Sequence, residues 1–322
     1  MKNKIRFALV GTSGIAHGHI KHIKSNPHAE LVYVYSRNLN RAKEFAKKYN
    51  LIPTDVYADI LNDNTIHAID IVTEPNRHSE LAINAIKHNK HVLIEKPLDT
   101  NLNNAKILVD LVNNSKSICE IISQKRFDST ILHMKSDIEN NKIGKLKSAK
   151  INMTLKRTHE YYNNGNGWRN TEGNVLINQG IHWIDIIQWF FGEPLKVKST
   201  LKQINNNINC YDTASVNFTF SNNFTLNLEC TTASNNIQSE NFMIIGDKGI
   251  LDYKKYPKLP LLLTKALRLF RIFKSPMKKQ IDGFIDSIAN KRSPKITLND
   301  GYNALKIVKS CENNNQTHLE KS

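Results

Sequence analysis

The chain has few cysteines, and none of them is placed as a metal site or a disulfide framework would require. Its 322 residues include four cysteines, which lie far apart in the sequence. No two of them form a C-x-x-C pair, and the twelve histidines show no H-E-x-x-H spacing. Zinc sites need ligands at such short spacings, and disulfide scaffolds are rich in cysteine. The sequence therefore predicts no metal and a reducing, cytoplasmic environment.

Long apolar runs are also missing. No segment approaches the roughly 20 apolar residues that a helix needs to cross a bilayer. The apolar stretch at residues 2–10 ends in Gly11 without a small-residue cleavage site, which favours a first strand over a signal peptide. Hydrophobic residues make up 40% of the chain. This content and length predict a soluble protein of two domains, each of about 100–200 residues.

Acidic residues are outnumbered by basic ones, 29 against 45, which leaves a formal net charge of +16. Such a charge attracts nucleic acids, anionic membrane surfaces, or anionic small molecules such as dinucleotides and nucleotide sugars. No helix-turn-helix, zinc-finger or aromatic RNA-binding motif accompanies it. Charge without such a reading element is weak evidence, so nucleic acid is not an expected partner.

Some of the positive charge is concentrated in residues 254–279, which contain nine Lys or Arg and no Asp or Glu. Within this stretch, residues 261–274 place basic side chains three apart among leucines and phenylalanines, which predicts a basic amphipathic helix. Two interpretations stay open. The helix packs on the protein itself or at a subunit contact, or it makes a weak contact with an anionic membrane surface.

The pattern of strands and helices changes once along the chain. Residues 1–123 alternate buried, strand-like runs with helical segments of about ten residues, as βαβ units of a parallel sheet do. In residues 124–322, several strands follow one another without helices between them, which indicates an antiparallel sheet. The predicted fold is α/β: an N-terminal Rossmann dinucleotide-binding domain (1–123), then a C-terminal α+β domain with a large, mainly antiparallel open sheet (124–322).

A glycine turn joins the first strand to the first helix. It reads Gly11-Thr12-Ser13-Gly14-Ile15-Ala16 and follows the dinucleotide fingerprint G-x-G-x-x-G/A, except that Ser13 replaces the second glycine. The first glycine makes the tight turn, and the helix N-terminus accepts a pyrophosphate. We therefore predict cofactor contacts from residues 11–15, with the Ser13 hydroxyl as a donor to phosphate.

The end of the second strand distinguishes NAD from NADP. An acidic residue there would bind the ribose 2′-hydroxyl of NAD, whereas an arginine can hold the 2′-phosphate of NADP. Glu30 has roughly the right spacing but begins the strand, and the strand end is Ser36-Arg37. The sequence thus favours NADP, with NAD as the alternative.

Two further segments follow strands of the parallel sheet, at the edge where ligands bind. The first contains Thr73, Pro75, Asn76 and His78, which we predict to contact the cofactor. The second is Glu95-Lys96-Pro97. A lysine beside a bound cofactor can act as an acid or a base, although a lone strand-end lysine is more often a surface charge.

A fourth cluster lies at the start of a helix in the second half. His182 and Asp185 are three residues apart and share a helix face, and Asn178 joins them if the helix begins early enough. Gln179 and Gly180 lie between them, and the glycine permits a close approach to a ligand. A lone histidine here would more often be structural, but the polar cluster favours a functional role.

Taken together, these motifs resemble the Gfo/Idh/MocA oxidoreductase family. In the first half the resemblance rests on Gly11–Ala16, Pro75-Asn76-x-His78 and the segment from His91 to Glu95-Lys96-Pro97. In the second half it rests on Gly180-x-His182-x-x-Asp185, Asp212-x-Ala214, the turn Gly246–Gly249 and the segment from Gln280 to Ile285. The match covers nearly the whole chain, and the Glu-Lys-Pro triplet is its most specific feature.

The resemblance implies hydride transfer between nicotinamide C4 and a carbon of a sugar or nucleotide sugar. Lys96 would be the acid/base and His182 would share proton transfer or orient the hydroxyl. Relatives of the inositol-dehydrogenase type carry Asp where this chain has Asn178, so a carboxylate is lost there. The family's C-terminal sheet often forms the oligomer interface, which implies a homodimer or homotetramer.

The segment from Gly173 to His182 looks similar to members that act on nucleotide-linked or amino sugars, including 3-dehydrogenases of polysaccharide biosynthesis. This similarity adds substrate-side candidates: Arg126, Tyr161, Trp168, Arg169, Asn178, Gln179 and Asp185. Two other functions stay open, a redox-neutral NAD-dependent glycosidase and a non-catalytic NAD(P)-binding sensor. The specific sugar and the direction of the reaction are not predicted.

Overall fold

The computed structural model describes residues 4–164, 167–235, 238–255 and 274–315. The chain divides into two compact units: residues 1–124 with 274–302, and residues 125–273 with 303–322. The N-terminal segment of the first unit thus ends at residue 124, next to the expected boundary at residue 123. This unit also includes residues 274–302, which the boundary expected from the sequence assigned to the second domain. Of the amphipathic helix predicted for residues 261–274, residues 261–273 lie outside the described residues.

Six parallel strands form the sheet of the first unit. In chain order they are β1 (Ile5–Val10), β2 (Ala29–Tyr35), β3 (Ile52–Thr54), β4 (Ala68–Ile71), β5 (His91–Ile94) and β6 (Cys119–Ile121). Their order across the sheet is β3-β2-β1-β4-β5-β6. From β1 the strand order runs to one side through β2 and β3, and then to the other side through β4, β5 and β6. The order therefore reverses between β1 and β4, and ligands of such sheets bind at the carboxyl ends of the strands beside this point. The predicted Rossmann sheet is confirmed.

The helices between these strands are α1 (Ala16–Lys24), α2 (Leu39–Tyr49), α3 (Tyr57–Asn62), α4 (His78–Lys87) and α5 (Leu102–Asn113). Asparagine side chains cap two of them: Asn38 accepts a hydrogen bond from the backbone N–H of Arg41, and Asn101 does the same for α5. The short strand β3 and the helix α3 are too brief to show a clear period in the sequence.

The second unit contains a six-stranded mixed sheet. Its strands are β7 (Leu146–Thr154), β8 (Lys196–Lys202), β9 (Thr213–Thr219), β10 (Thr225–Thr231), β11 (Ser239–Gly246) and β12 (Ile250–Asp252). They lie in the order β12-β11-β7-β10-β9-β8. Only β10 and β7 pair in parallel among these strands, so the predicted mainly antiparallel sheet is confirmed.

Burial alternates along these strands. In β9 the side chains of Ala214, Val216 and Phe218 are completely buried, while the residues between them face outward. This period of two is what a sheet with one covered face requires.

Helices of the second unit are α6 (Ser129–Glu139), α7 (His159–Asn163), α8 (Trp168–Thr171) and α9 (Ile181–Phe191). A π-helical turn, Leu176–Gly180, leads directly into α9. The segment with α7 and α8 is rich in asparagine and glycine, which are typical of turns. It forms short helices nevertheless, and Thr158 caps α7 by accepting from the backbone N–H of Tyr161.

Within the described residues after the second sheet, the helices are α10 (Pro276–Ala289) and α11 (Leu298–Asn313). The first of these belongs to the first unit, where the Phe284 ring meets the Phe7 ring edge to face at 6.3 Å between centroids. Across the ranges described above, none of the helices has both the length and the apolar character that crossing a bilayer requires.

Candidate functional site

The turn after β1 leaves room for a ligand. Gly11 has φ +118°, and a Cβ atom there would lie 2.8 Å from the carbonyl carbon and oxygen of Val72. Only glycine fits this position. A Cβ atom at Gly14 would meet nothing within 4 Å. The turn is thus tightly packed against β4 on one side and open on the other, which fits the pyrophosphate of a dinucleotide at the start of α1.

The Ser13 hydroxyl is engaged within this turn. Its Oγ donates a hydrogen bond of 2.9 Å to the carbonyl oxygen of Val72. The sequence suggested that this hydroxyl would donate to a phosphate. In the structure its proton points to the residue after β4, so Ser13 links the ends of β1 and β4.

The end of β2 carries Arg37 beside an acidic side chain. The Arg37 guanidinium lies 3.5 Å from the carboxylate of Glu74, which follows β4. About half of the Arg37 side chain is exposed. A phosphate bound by Arg37 would therefore compete with Glu74. At the same strand end, the Ser36 hydroxyl accepts a hydrogen bond from the backbone N–H of Asn38.

His78 is completely buried at the start of α4. Its Nδ1 lies 2.8 Å from the carbonyl oxygen of Pro97, and its Nε2 lies 3.1 Å from that of Thr73. Burial lowers the pKa of His78 below its ordinary value. The ring thus joins the segments that follow β4 and β5. Nearby, Pro75 is buried and Asn76 is exposed in a single turn of 3₁₀ helix.

A buried ionic network, which no sequence motif indicates, is joined to the backbone of Lys96 through Glu95. The His19 ring, one turn into α1, has Nδ1 2.8 Å from Asp70 Oδ2 and Nε2 3.1 Å from Glu95 Oε1. Glu95 Oε2 accepts a 3.0 Å hydrogen bond from the backbone N–H of Lys96. His19 and Asp70 have no exposed surface, and Glu95 is 7% exposed. The network therefore connects α1, β4 and the residue after β5.

The charges of this network follow from its geometry. Burial by itself lowers the pKa of His19, but Asp70 and Glu95 outweigh it and raise that pKa to about 10. For Glu95, burial is outweighed by the hydrogen bond and charge of His19, with help from Lys96, so its pKa is lowered. Burial raises the pKa of Asp70 despite His19, so its ionised form depends on that cation. Both ring nitrogens face carboxylates, which leaves no lone pair for a metal.

In the second unit, two of the expected substrate residues bind each other. Arg126 donates from Nε to one carboxylate oxygen of Asp185 at 2.9 Å, and from Nη2 to the other at 2.6 Å. Both side chains are more than nine-tenths buried. This bidentate pair connects the segment before α6 to the middle of α9.

The start of α9 gathers the polar candidates around Tyr161. The Tyr161 hydroxyl donates to the Asn178 side-chain oxygen at 3.1 Å and accepts from the Gln179 side-chain amide at 2.7 Å. Asn174 caps the preceding π-helical turn, because its oxygen accepts from the backbone N–H of Leu176 at 2.9 Å. His182 is half-buried on α9. The early start of the helix, which the sequence left conditional, thus places Asn178 within the helical segment.

Two arginines flank the same tyrosine. The guanidinium carbon of Arg157 lies 5.0 Å from the centroid of the Tyr161 ring, and that of Arg169 lies 4.8 Å from it. Arg169 also lies 4.9 Å from the ring of Trp168, which is buried. Within the described residues, the buried Nε atoms of both arginines have no hydrogen-bond partner. Arg169 is among the substrate-side candidates expected from the sequence, whereas Arg157 lies in no motif and is visible only in the folded chain.

Comparisons with known proteins match both halves of the chain to one family. Residues 5–122 match the family model described as the oxidoreductase family GFO_IDH_MocA, NAD-binding Rossmann fold. Residues 131–252 match the model of the GFO/IDH/MocA C-terminal domain.

Two curated relatives come from Bacillus subtilis (strain 168). Glucose-6-phosphate 3-dehydrogenase is 30% identical over 210 residues, which cover 63% of this chain and 58% of the relative. scyllo-Inositol 2-dehydrogenase (NAD(+)) is 30% identical over 148 residues, which cover 45% of this chain and 43% of the relative. In both alignments this chain thus spans less than two thirds of the relative's length.

A solved structure extends the likeness to nearly the full length. The WlbA dehydrogenase from Bordetella pertussis, in complex with NADH and UDP-GlcNAcA, superposes with a TM-score of 0.87. Its sequence is 20% identical, and the match covers 99% of this chain and 97% of that one. At this identity the likeness establishes the fold.

Proposed function

Because the chain belongs to the Gfo/Idh/MocA oxidoreductase family, we propose that it is an NAD(P)-dependent dehydrogenase or ketoreductase of sugars or nucleotide sugars. The reaction moves a hydride between the nicotinamide ring and a hydroxyl-bearing carbon of the sugar. The bound cofactor supplies the hydride acceptor or donor, and the residues of this chain bind both partners and move the proton.

The first unit holds the cofactor. The turn at Gly11 and Gly14 receives the pyrophosphate, since one side is closed by β4 and the other is open. The residues around it complete the site: Thr12, Ser13, Ile15, Ser36, Arg37, Thr73, Pro75, Asn76, His78 and Glu95. Arg37 is the candidate for a 2′-phosphate, so NADP is the first choice and NAD the second. To hold a 2′-phosphate, the Arg37 guanidinium would exchange its contact with Glu74 for one with the phosphate.

The position of Lys96 is the observation that carries the mechanism. Glu95 holds the backbone N–H of Lys96 at the carboxyl end of β5, which pairs with β4, one of the two strands at the reversal point of the sheet. From this place the Lys96 amine takes the hydroxyl proton as the hydride leaves the carbon, and its ammonium returns the proton in the reverse direction. His182 orients the hydroxyl or shares the proton. Asn178 has no ionisable group and positions substrate only.

The arginines at Tyr161 support an anionic substrate. A buried guanidinium Nε without a partner loses the free energy of its hydrogen bond to water, about 1–3 kcal/mol or more for a charged group. A phosphate or carboxylate accepts hydrogen bonds from arginine in bidentate geometry and would satisfy Arg157 and Arg169. Two similar proteins carry phosphorylated sugars in their names, glucose 6-phosphate and UDP-GlcNAcA. We therefore place a phosphorylated sugar or nucleotide sugar first among the substrates.

The test begins with a thermal-shift screen of NAD, NADP, sugar phosphates and nucleotide sugars. The best pair is then assayed for formation of NAD(P)H. We expect Lys96→Ala to lower kcat by roughly 100- to 10,000-fold, the usual contribution of a general acid or base. The control is Lys87→Ala, an exposed lysine on α4.

Each remaining outcome contradicts a specific element of this proposal. Full hydride transfer by Lys96→Ala would refute the role of that lysine. Cleavage of a glycosidic bond without net NAD(P)H would identify the glycosidase. Tight cofactor binding without turnover of any sugar would identify a sensor.

A further inference from the structure

The network of His19, Asp70 and Glu95 joins the two segments of the first unit that the proposed reaction uses. His19 lies on α1, which starts directly after the glycine turn at residues 11–15. Glu95 accepts the backbone N–H of Lys96. Asp70 lies on β4. This strand pairs on one side with β1, which leads to the glycine turn, and on the other with β5, which leads to Lys96. A single imidazole therefore connects the cofactor-binding helix to the lysine segment.

The ring must carry a charge to make both contacts. A neutral imidazole has one N–H donor and one acceptor, whereas each ring nitrogen of His19 faces a carboxylate oxygen. Only the imidazolium donates to both. The carboxylates of Asp70 and Glu95 and the imidazolium of His19 together carry one negative charge. The Lys96 ammonium balances this charge, so the four groups together are neutral.

A purely structural role is a poor explanation of this arrangement. Removing charged groups from water is costly, and well-packed apolar side chains of similar volume are often as stabilising as a buried ion pair. The stability of α1 against the sheet therefore does not require ions at this position. The ions do something that apolar side chains cannot, which is to hold a carboxylate in one orientation.

We infer that His19 is a positioning residue for the hydride-transfer site: it holds Glu95, and through Glu95 the backbone of Lys96, in a fixed relation to the cofactor-binding turn. This inference rests on the proposed function for the role of Lys96. Asp70 is the second anchor, because its carboxylate fixes the other side of the ring. The residue at position 19 acts through Glu95 and touches neither substrate nor cofactor.

Other titratable groups surround the network. His22 follows His19 on α1, and its pKa is lowered to about 4, by burial first and then by the charges of Lys278 and His19. The buried His78 on α4 faces Glu95. Lys96 follows Glu95 in the chain and also acts on its charge. At neutral pH His22 is therefore neutral, and His19 and Lys96 are the cations that favour the ionised form of Glu95.

The charge state of His19 can be tested without substrate. In a ¹⁵N NMR titration of histidine side chains, we expect one ring to keep both N–H groups at pH values well above 6.5 and to lose one only near pH 10. This signal should be missing from His19→Gln and present in His17→Gln, a matched variant on the same helix. The inference is overturned if no ring remains doubly protonated above about pH 8.

The positioning role is tested by kinetics. We expect His19→Gln to lower kcat on the order of 100-fold, as misplacement of a reacting group does, with a much smaller change in the cofactor KM. Without the cation Glu95 gains a proton more easily, so the acid limb of the kcat profile should move to higher pH. A loosened fold would lower the rate without moving this limb. His17→Gln should leave both rate and profile unchanged.

The pathway through Glu95 is tested with Glu95→Gln and the double variant. If His19 acts through Glu95, the double variant should be hardly slower than the slower single variant, because the second change removes nothing further. Independent, multiplying losses would overturn the inference. If the wild-type protein transfers no hydride at all, the proposed function fails, while the NMR titration still decides the charge of His19. That titration uses the wild type and does not depend on the folding of any variant.

Discussion

At the scale of single residues, the partner of a side chain decides its role. Asp185 shares a helix face with His182 in the sequence and was expected on the substrate side. In the structure its carboxylate binds Arg126 through two hydrogen bonds, 59 residues away in the chain. Breaking such a buried pair by removing one partner costs about 3–5 kcal/mol. We therefore propose that Asp185 and Arg126 maintain the shape of the site, and that Arg157 and Arg169 bind substrate.

The two arginines at Tyr161 give a test at this scale. We expect Arg157→Gln and Arg169→Gln each to weaken binding of a phosphorylated sugar by roughly 10- to 100-fold, since a hydrogen bond to a charged group contributes about 1.5–3 kcal/mol. Binding of the same sugar without phosphate should change little. Isothermal titration calorimetry of the cofactor-loaded protein with both sugars measures the difference.

Arg292→Gln serves as the control, because Arg292 is exposed and pairs with Asp286. Equal losses for the phosphorylated and the unphosphorylated sugar would show that the arginines shape the pocket without binding an anion.

At the scale of elements, α10 shows what a periodic pattern leaves open. This helix spans Pro276–Ala289 and buries Ile281, Phe284 and Ile285 along one face. The apolar stripe of this helix indicates that one face is packed against the protein. The stripe does not indicate which of the two sheets the helix packs against. The contact with the first unit is made by Phe284 and by Gln280, which donates to Glu120 at 2.8 Å and accepts from the backbone N–H of Ser123 at 2.9 Å.

The pairing of β6 with α10 predicts a pH effect on stability. Burial raises the pKa of Glu120 to about 8, from an ordinary value of 4.5. The folded protein therefore binds a proton that the unfolded chain has lost, so this carboxyl reduces the free energy of unfolding as pH rises from about 4.5 to 8. We expect Glu120→Gln to be more stable than wild type near pH 8, by roughly 1–3 kcal/mol.

Urea unfolding at a series of pH values measures this difference. The gain should shrink as the pH falls and vanish only below about 4.5, where the wild-type carboxyl is protonated in both states. The stability that His19 contributes is also lost as the pH rises from about 6.5 to 10, but His19 is present in both proteins and its effect cancels. A difference that does not vary with pH would contradict the assignment.

At the scale of the whole molecule, the described part of the second sheet has polar side chains on the face opposite its buried apolar residues. Neighbouring strands are joined across it by side-chain hydrogen bonds, Ser215 to Glu229 at 2.7 Å and Asn227 to Asn217 at 3.1 Å. We propose that this face joins copies of the chain into a dimer or tetramer. Such an interface is held by hydrogen bonds and shape more than by apolar burial.

Light scattering after size-exclusion chromatography tests this assembly. We expect a mass of two or four chains for the wild type. Asn227→Arg should shift the mass towards one chain, because a symmetric interface brings the new charge close to its own copy. Asn104→Arg on α5 is the control. A wild-type mass of one chain at all concentrations would refute the proposal.

The parallel and the mainly antiparallel sheet, the glycine turn after β1 and the place of Lys96 after β5 could all be predicted from the amino-acid sequence. These features depend on local periods and short motifs, which a sequence displays directly. The charges that meet in the folded chain could not be predicted in this way. His19 finds Asp70 and Glu95 at separations of 51 and 76 residues, Arg126 finds Asp185, and α10 returns to the first unit. Ion pairs and packing depend on positions in space, and no local pattern specifies the partner of a buried charge.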